Sequence, residues 1–134
     1  MKAHLYFAGF FGLTGVALGA FGAHALKATL AASNSAPTWQ TAVLYQFIHA
    51  LAILAVALNR QLIPKSALGW YSKACASWTL GVFLFSGSLY WLATGGPRWL
   101  GPITPLGGVA LIIGWVFLLI GASKSQSDDN KSAS

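Results

Sequence analysis

The chain has 134 residues, of which 56% are hydrophobic and only 7% charged, and its eight Lys and Arg against two Asp and Glu give a formal charge of +6. Ordinary soluble domains carry roughly 25% charged residues, and a chain this short has too little interior to hide so much apolar surface from water. The composition excludes a water-soluble globule and points to a bilayer, whose hydrocarbon thickness asks for about 20 apolar residues per spanning helix.

The first predicted span covers about residues 5–23. Lys2, the apolar run and the triplet Ala23-His24-Ala25 imitate a secretory signal with a small-x-small cleavage site. The run is longer than a usual signal core, and it carries Ala8, Gly12, Gly15, Gly19 and Gly22 at alternating spacings of four and three. That rhythm puts small residues on one helix face, where they let backbones approach closely in lipid. A packed spanning helix is expected, in preference to a cleaved signal or a glycine-lined solute path. The following "HALKATLAAS" places Leu26 and Leu30 four apart, which suits a short helix lying at the membrane interface.

The second span, about residues 40–58, contains "AVLYQFIHALAIL" and raises the main chemical question of the chain. On a helix, Ala42, Gln46, His49, Ala50, Ile53 and Ala57 share one face, while Leu44, Phe47, Ile48, Leu51, Leu54 and Leu58 cover the other. A polar side chain turned to lipid would leave its donors unsatisfied, so Gln46 and His49 are expected to face neighbouring helices. Their candidate partners are Tyr90, Ser86, Ser88 and the backbone that small residues expose on the first helix. The third span, about residues 74–94, has a small face of Ala74, Ser77, Gly81 and Ser88, with Ser86 and Tyr90 projecting from another face. Cys75 is the only cysteine, so it forms no disulfide within the chain and reads as a structural thiol.

The loop "GGPRWLGPITP" is stiffened by Pro97 and Pro102, and Pro105 is expected to open the fourth span, about residues 104–122. Arg98 in that loop either meets lipid phosphate or folds over the helix ends as a lid. Gly107, Ala110, Gly114 and Gly121 repeat the small stripe in the fourth span. Residues 124–134 are polar, hold both acids (Asp128 and Asp129), and are expected to be a disordered cytoplasmic tail behind a transmembrane domain of residues 1–123.

Four crossings put Lys2, Arg60, Lys65, Lys73, Lys124 and Lys131 on one side and Lys27 and Arg98 on the other. The positive-inside rule makes both termini cytoplasmic. The positive charge is thus an orientation signal, and no nucleic-acid partner is expected. Trp39, Trp70 and Trp99 fall near span boundaries, where indole rings favour the headgroup layer.

A resemblance rests on four blocks in order: "GAFGAHAL" (19–26), "WQTAVLYQFIHALAIL" (39–54), "LFSGSLYWLA" (84–93) and "ITPLGGVALIIGW" (103–115). Together they resemble the signature blocks of the family that contains YgdD and transmembrane protein 256, known as domain of unknown function 423. The resemblance implies a four-helix protein of the bacterial inner membrane. It implies no activity, ligand or catalytic residue.

The residues themselves speak against an enzyme. Nucleophilic hydrolysis needs a base and usually an orienting carboxylate, and no acid lies in any span. His4, His24 and His49 fall at different depths, so neither a three-histidine metal site nor a His24–His49 haem pair is expected, and no cofactor is. Two readings remain for an all-α bundle whose polar candidates are His24, Tyr45, Gln46, His49, Ser86, Ser88, Tyr90 and Arg98. In one, it is a binding or assembly element that contacts membrane lipids, self-associates, docks on a membrane protein, or holds a lipid or quinone-like ligand. In the other, it is a small-solute or proton transporter or channel unit that uses His49. The first is favoured, because no second titratable group accompanies His49 and neither a broken helix nor an internal repeat is evident.

Overall fold

A computed structural model describes residues 1–132, with side chains described for residues 1–127. The regular elements of the described chain are all helices: α1 (Lys2–Ala23), α2 (Lys27–Ala32), α3 (Ala36–Leu58), α4 (Lys65–Ala93) and α5 (Ile103–Ser132), with 3-10 turns at Asn59–Leu62 and Arg98–Leu100. Four stretches are long and apolar enough to cross a membrane: Lys2–Ala23, Ala36–Leu62, Lys65–Ala93 and Arg98–Ser127.

Proline and glycine set the boundaries. Ile63 is extended (φ −84°, ψ 124°), the conformation that a following proline favours, and Pro64 then caps α4. Nothing after Pro64 breaks a helix, so α4 begins at Lys65, not near residue 74 as the hydropathy pattern predicts. It ends in a turn that Gly95 makes at φ 88°, with the N–H groups of Gly96 and Gly95 donating to the carbonyls of Trp91 (2.8 Å) and Leu92 (3.2 Å). Pro105 sits in the first turn of α5, where its missing N–H leaves no partner waiting. α5 then runs on to Ser132, through the segment whose composition predicts disorder. No proline or glycine follows Gly121. The hydroxyls of Ser123, Ser125 and Ser127 are absorbed by carbonyls four residues earlier, at 3.0–3.1 Å. Residues 133 and 134 of the expected tail lie outside the described residues.

The helices pack in the order α1, α3, α4, α5, most extensively between α4 and α5, and α1 touches α4 only lightly. α3 and α4 form the centre. Ile53, Ala74, Cys75 and Trp78 are fully enclosed there, with Phe11 of α1 and Leu111 of α5 closing the two sides. The face of α3 that periodicity turns inward is buried at all six positions, from Ala42 to Ala57. Leu44, Ile48, Leu51 and Leu58 are exposed, as lipid-facing residues should be, while Phe47 and Leu54 are half-buried.

Small residues hold the helices close, but not at every predicted position. A Cβ on Gly107 would run into the backbone of Leu84 and Phe85, and one on Gly81 into Leu111. Gly114 and Gly121 make room for Trp78 and for Tyr71, Gly15 for the Phe47 ring, and Gly22 for Trp39. Gly12 has nothing within 4 Å, and Gly19 meets only Val43 at ordinary van der Waals distance. The α1 stripe is therefore shorter than its spacing predicts, because α1 leans on α3 along one line only.

His4 near the start of α1 reaches Ser72 of α4 (3.3 Å), Lys2 and Arg60 line one cleft, and Gly121 abuts Trp70 and Tyr71. These contacts gather Lys2, Arg60, Lys65, Lys73 and Lys124 at one end, leaving Lys27 and Arg98 at the other. Lys73 rests over the Trp70 ring, 4.4 Å from its centroid. Trp99 is 65% exposed, as a boundary indole should be. Trp39 is not: only 5% of it is exposed, because Gly22 opens a slot on α1 where its Nε1–H donates to the carbonyl of Leu18 (2.9 Å).

Candidate functional site

The interior polar groups form two knots, not one site. The first is centred on Gln46, which is 3% exposed. Its Nε2 donates to the carbonyl of Phe11 (2.8 Å) and to Thr14 Oγ1 (2.9 Å), and its Oε1 accepts from the Tyr90 hydroxyl (2.9 Å). One amide thereby ties α3 to α1 and α4 at once. The Thr14 hydroxyl is free to accept because its own hydrogen goes to the carbonyl of Phe10 (2.7 Å). Tyr90 also meets Trp39 edge-to-face at 4.7 Å, which fixes the phenol ring.

The second knot is centred on His49, 2% exposed. Its Nδ1 lies 2.8 Å from the carbonyl of Tyr45, and its Nε2 lies 3.2 Å from the indole nitrogen of Trp115 on α5. These partners define the tautomer. A carbonyl only accepts, so Nδ1 carries the hydrogen. An indole N–H only donates, so Nε2 keeps its lone pair. His49 is thus a neutral imidazole with both nitrogens engaged, among the rings of Trp78 (6.2 Å), Trp115 (6.0 Å) and Tyr45 (6.1 Å). Trp78 is fully enclosed, and its indole N–H has no partner.

The remaining predicted site residues scatter. Ser86 donates to the carbonyl of Ala42 (2.8 Å), a second α3–α4 tie. Ser88 faces the other way and pairs with Thr104 of α5 (2.6 Å). Tyr45 contributes its carbonyl to His49 and its ring to a contact with Phe85 at 4.7 Å. His24 and Arg98 are exposed at the far end, Arg98 in the 3-10 turn beyond α4, whose Leu100 is buried. Among the described residues no group of three or more His, Cys, Asp or Glu is arranged to hold a metal ion.

Thr14, Trp78 and Trp115 belong to these knots and escape the sequence reading, and Trp39, expected at a span boundary, joins them. Trp78 and Trp115 had a usable signal. An indole in mid-span, away from the headgroup layer, has an N–H that calls for an acceptor on a neighbouring helix.

Residues 18–108 match the model of a family described as "Protein of unknown function (DUF423)". The chain belongs to this family. It is 44% identical over 119 residues to the "UPF0382 inner membrane protein YgdD" of Escherichia coli K12, covering 88% of this chain and 87% of that one. It is similarly 44% identical over 113 residues to a "UPF0382 membrane protein" of Haemophilus influenzae, covering 84% and 86% of the two chains. The "UPF0382 membrane protein YwdK" of Bacillus subtilis is 40% identical over 126 residues, 92% of this chain and 98% of its own. No solved structure matches the chain. With four apolar spans and inner-membrane relatives, this is a multi-pass inner-membrane protein.

Proposed function

We propose that the protein is a non-catalytic binding or assembly element of the inner membrane, which holds a lipid, a quinone-like ligand or a membrane-protein partner against its helices. One observation carries the reading: neither Gln46 nor His49 has a polar atom left over. Gln46 spends both amide hydrogens and its oxygen, and His49 spends both ring nitrogens. A general base or proton relay needs an atom free to exchange a proton with substrate or water. What remains open to other molecules faces outward. A cleft of about 320 Å3 lies between α1, α2 and α3, walled by Gly19, Gly22, Trp39, Val43 and Phe47. Another, of about 220 Å3, lies beside His49 and is walled by Tyr45, Phe85, Leu111 and Trp115. These volumes suit the ring or chain of a small amphiphile.

Native mass spectrometry of the full chain, extracted in mild detergent, reads both subunit count and retained small molecules. A retained lipid or quinone, or a stoichiometric second copy, supports the proposal. A ring of subunits with solute or proton flux, lost in a folded His49→Gln variant, would replace it with the transport reading. We further propose that both termini are cytoplasmic, on the strength of the basic residues gathered at one end. A reporter inserted at residues 59–64 should then read cytoplasmic and one near Ser33 periplasmic; the reverse pattern would invert the molecule.

A further inference from the structure

The end of the molecule that carries Lys2 has a cleft of about 490 Å3 between the start of α1 and the end of α3, lined by Met1, Lys2, Ala3, Leu5, Ala57 and Arg60. Two cations from different helices thus border one cavity. Among residues 1–127, whose side chains are described, there is no Asp or Glu to pair with them. Like charges converging on one cavity repel unless an anion joins them. Helix packing forces this convergence, since α1 and α3 run antiparallel and the turn Asn59–Leu62 swings Arg60 back towards the start of α1.

We propose that this cleft binds the phosphodiester headgroup of an anionic phospholipid, with Lys2 and Arg60 as the two cationic jaws. Arg60 presents a planar fork matched to two phosphate oxygens, and Lys2 adds a compact charge on a flexible stem. The apolar part of the lining distinguishes a lipid from free phosphate. Leu5, Ala3 and Ala57 form the apolar part of its wall, and Leu58 and Leu62, on either side of Arg60 in the sequence, are exposed. The cavity therefore joins two cationic side chains to an apolar wall at the end of the spans, the pairing of charge and hydrocarbon that a lipid presents. This inference rests on the membrane-spanning fold and stands whether or not the binding role proposed above holds.

The test uses the full chain in nanodiscs of phosphatidylcholine doped with phosphatidylglycerol, with lipid retention read by native mass spectrometry after delipidation in mild detergent. Wild type should retain phosphatidylglycerol over phosphatidylcholine. Lys2→Gln and Arg60→Gln should each weaken that preference roughly fivefold. Both side chains are exposed, so the variants keep the fold, which circular dichroism checks. Lys124→Gln, at the same end on α5, and Lys27→Gln, at the opposite end, should leave retention unchanged. An equal effect of Lys124→Gln would show a diffuse surface field in place of a site and would overturn the proposal. So would equal retention of the two lipids, or displacement of phosphatidylglycerol by millimolar inorganic phosphate.

Discussion

The α4–α5 and α1–α3 interfaces hold two helices together in lipid by different means. Between α4 and α5 the backbones themselves meet: Gly107 lies against the backbone of Leu84 and Phe85, Gly81 against Leu111, and Ser77 donates to the carbonyl of Ala110 (2.7 Å). Between α1 and α3, side chains span the gap, with Phe47 and Trp39 set into Gly15 and Gly22 and the amide of Gln46 reaching the Phe11 carbonyl. Lipid tails are as apolar as leucine, so neither interface gains from a hydrophobic force and both depend on contact and hydrogen bonds. The difference lies in what can yield. A backbone facing a backbone cannot rotate away, whereas a ring facing a glycine can. The second arrangement also leaves α1 open on the α4 side, where a cleft of about 190 Å3 runs beside Phe10, Phe83 and Tyr90.

The largest expected effect breaks the rigid side of this comparison. Gly107→Leu, and to a lesser degree Gly107→Ala, drives a side chain into the α4 backbone, so the whole α4–α5 contact must part. Overpacking typically costs about 1–3 kcal/mol even where side chains can adjust; here the loss should reach or exceed the top of that range. Thermal unfolding in mild detergent should show a clearly smaller drop for Gly15→Ala, which meets only the Phe47 ring, near 2.9 Å. Equal drops at the two positions would abolish the distinction between the interfaces.

Gln46→Leu attacks the bridged side. It removes three hydrogen bonds and leaves the Tyr90 hydroxyl without its acceptor. Interhelical hydrogen bonds in membrane proteins average about 0.6 kcal/mol each, and the orphaned hydroxyl adds its own cost, so a loss of about 2 kcal/mol is expected. Tyr90→Phe should recover part of that loss in the double variant, because no orphan then remains. A strictly additive double variant would show that Gln46 and Tyr90 do not form a unit.

His49 carries less of the stability. Its single interhelical bond is the longer one, to Trp115 at 3.2 Å, and Trp115 is 41% exposed. Trp115→Phe removes that bond, worth about 0.6 kcal/mol on the same average, and leaves the buried Nε2 without a donor, so the cost should exceed that figure yet stay below the loss of about 2 kcal/mol expected at Gln46. His49→Gln keeps an acceptor on the same face and should unfold within about 1 kcal/mol of wild type. If His49→Gln is folded yet loses a ligand that wild type retains, the imidazole belongs to the binding site as well as to the frame.

The sequence was most informative where one face of a helix had to be buried. Gln46 and His49 are polar in an apolar run, and the cost of turning them to lipid already fixed their direction; Tyr90 and the backbone beside Gly15 were among their expected partners. The partners it missed are Thr14, whose hydroxyl pattern reading assigns to the helix's own backbone, and Trp115, whose mid-span indole reads as apolar bulk. Packing order was also hidden. Spacing put Gly12 and Gly19 in the same stripe as Gly15, but the stripe says only which residues are small, not which of them meet a neighbour. The extent of α4 and α5 was misjudged for a related reason. Hydropathy marks where a helix leaves the hydrocarbon, while the helix itself runs on until it is broken: no proline stands between Pro64 and residue 74, and neither proline nor glycine follows Gly121.

The smallest effect is expected at Gly12, and it sharpens the comparison most. Gly12 sits in the α1 rhythm, yet no atom lies within 4 Å of where its Cβ would be, and α1 turns much of its surface away from α3 and α4. Gly12→Ala should leave the unfolding temperature of the isolated chain unchanged, or raise it slightly, since alanine favours helix over glycine by about 1 kcal/mol. Gly12→Leu should be tolerated nearly as well. The informative departure is a variant as stable as wild type that no longer associates in the mass measurement. It would mean that the open part of the α1 stripe is an assembly face, and that this rhythm of small residues is met partly from outside the chain. A Gly12→Leu chain that unfolds as early as Gly107→Leu would instead show that α1 lies closer to its neighbours than this packing allows.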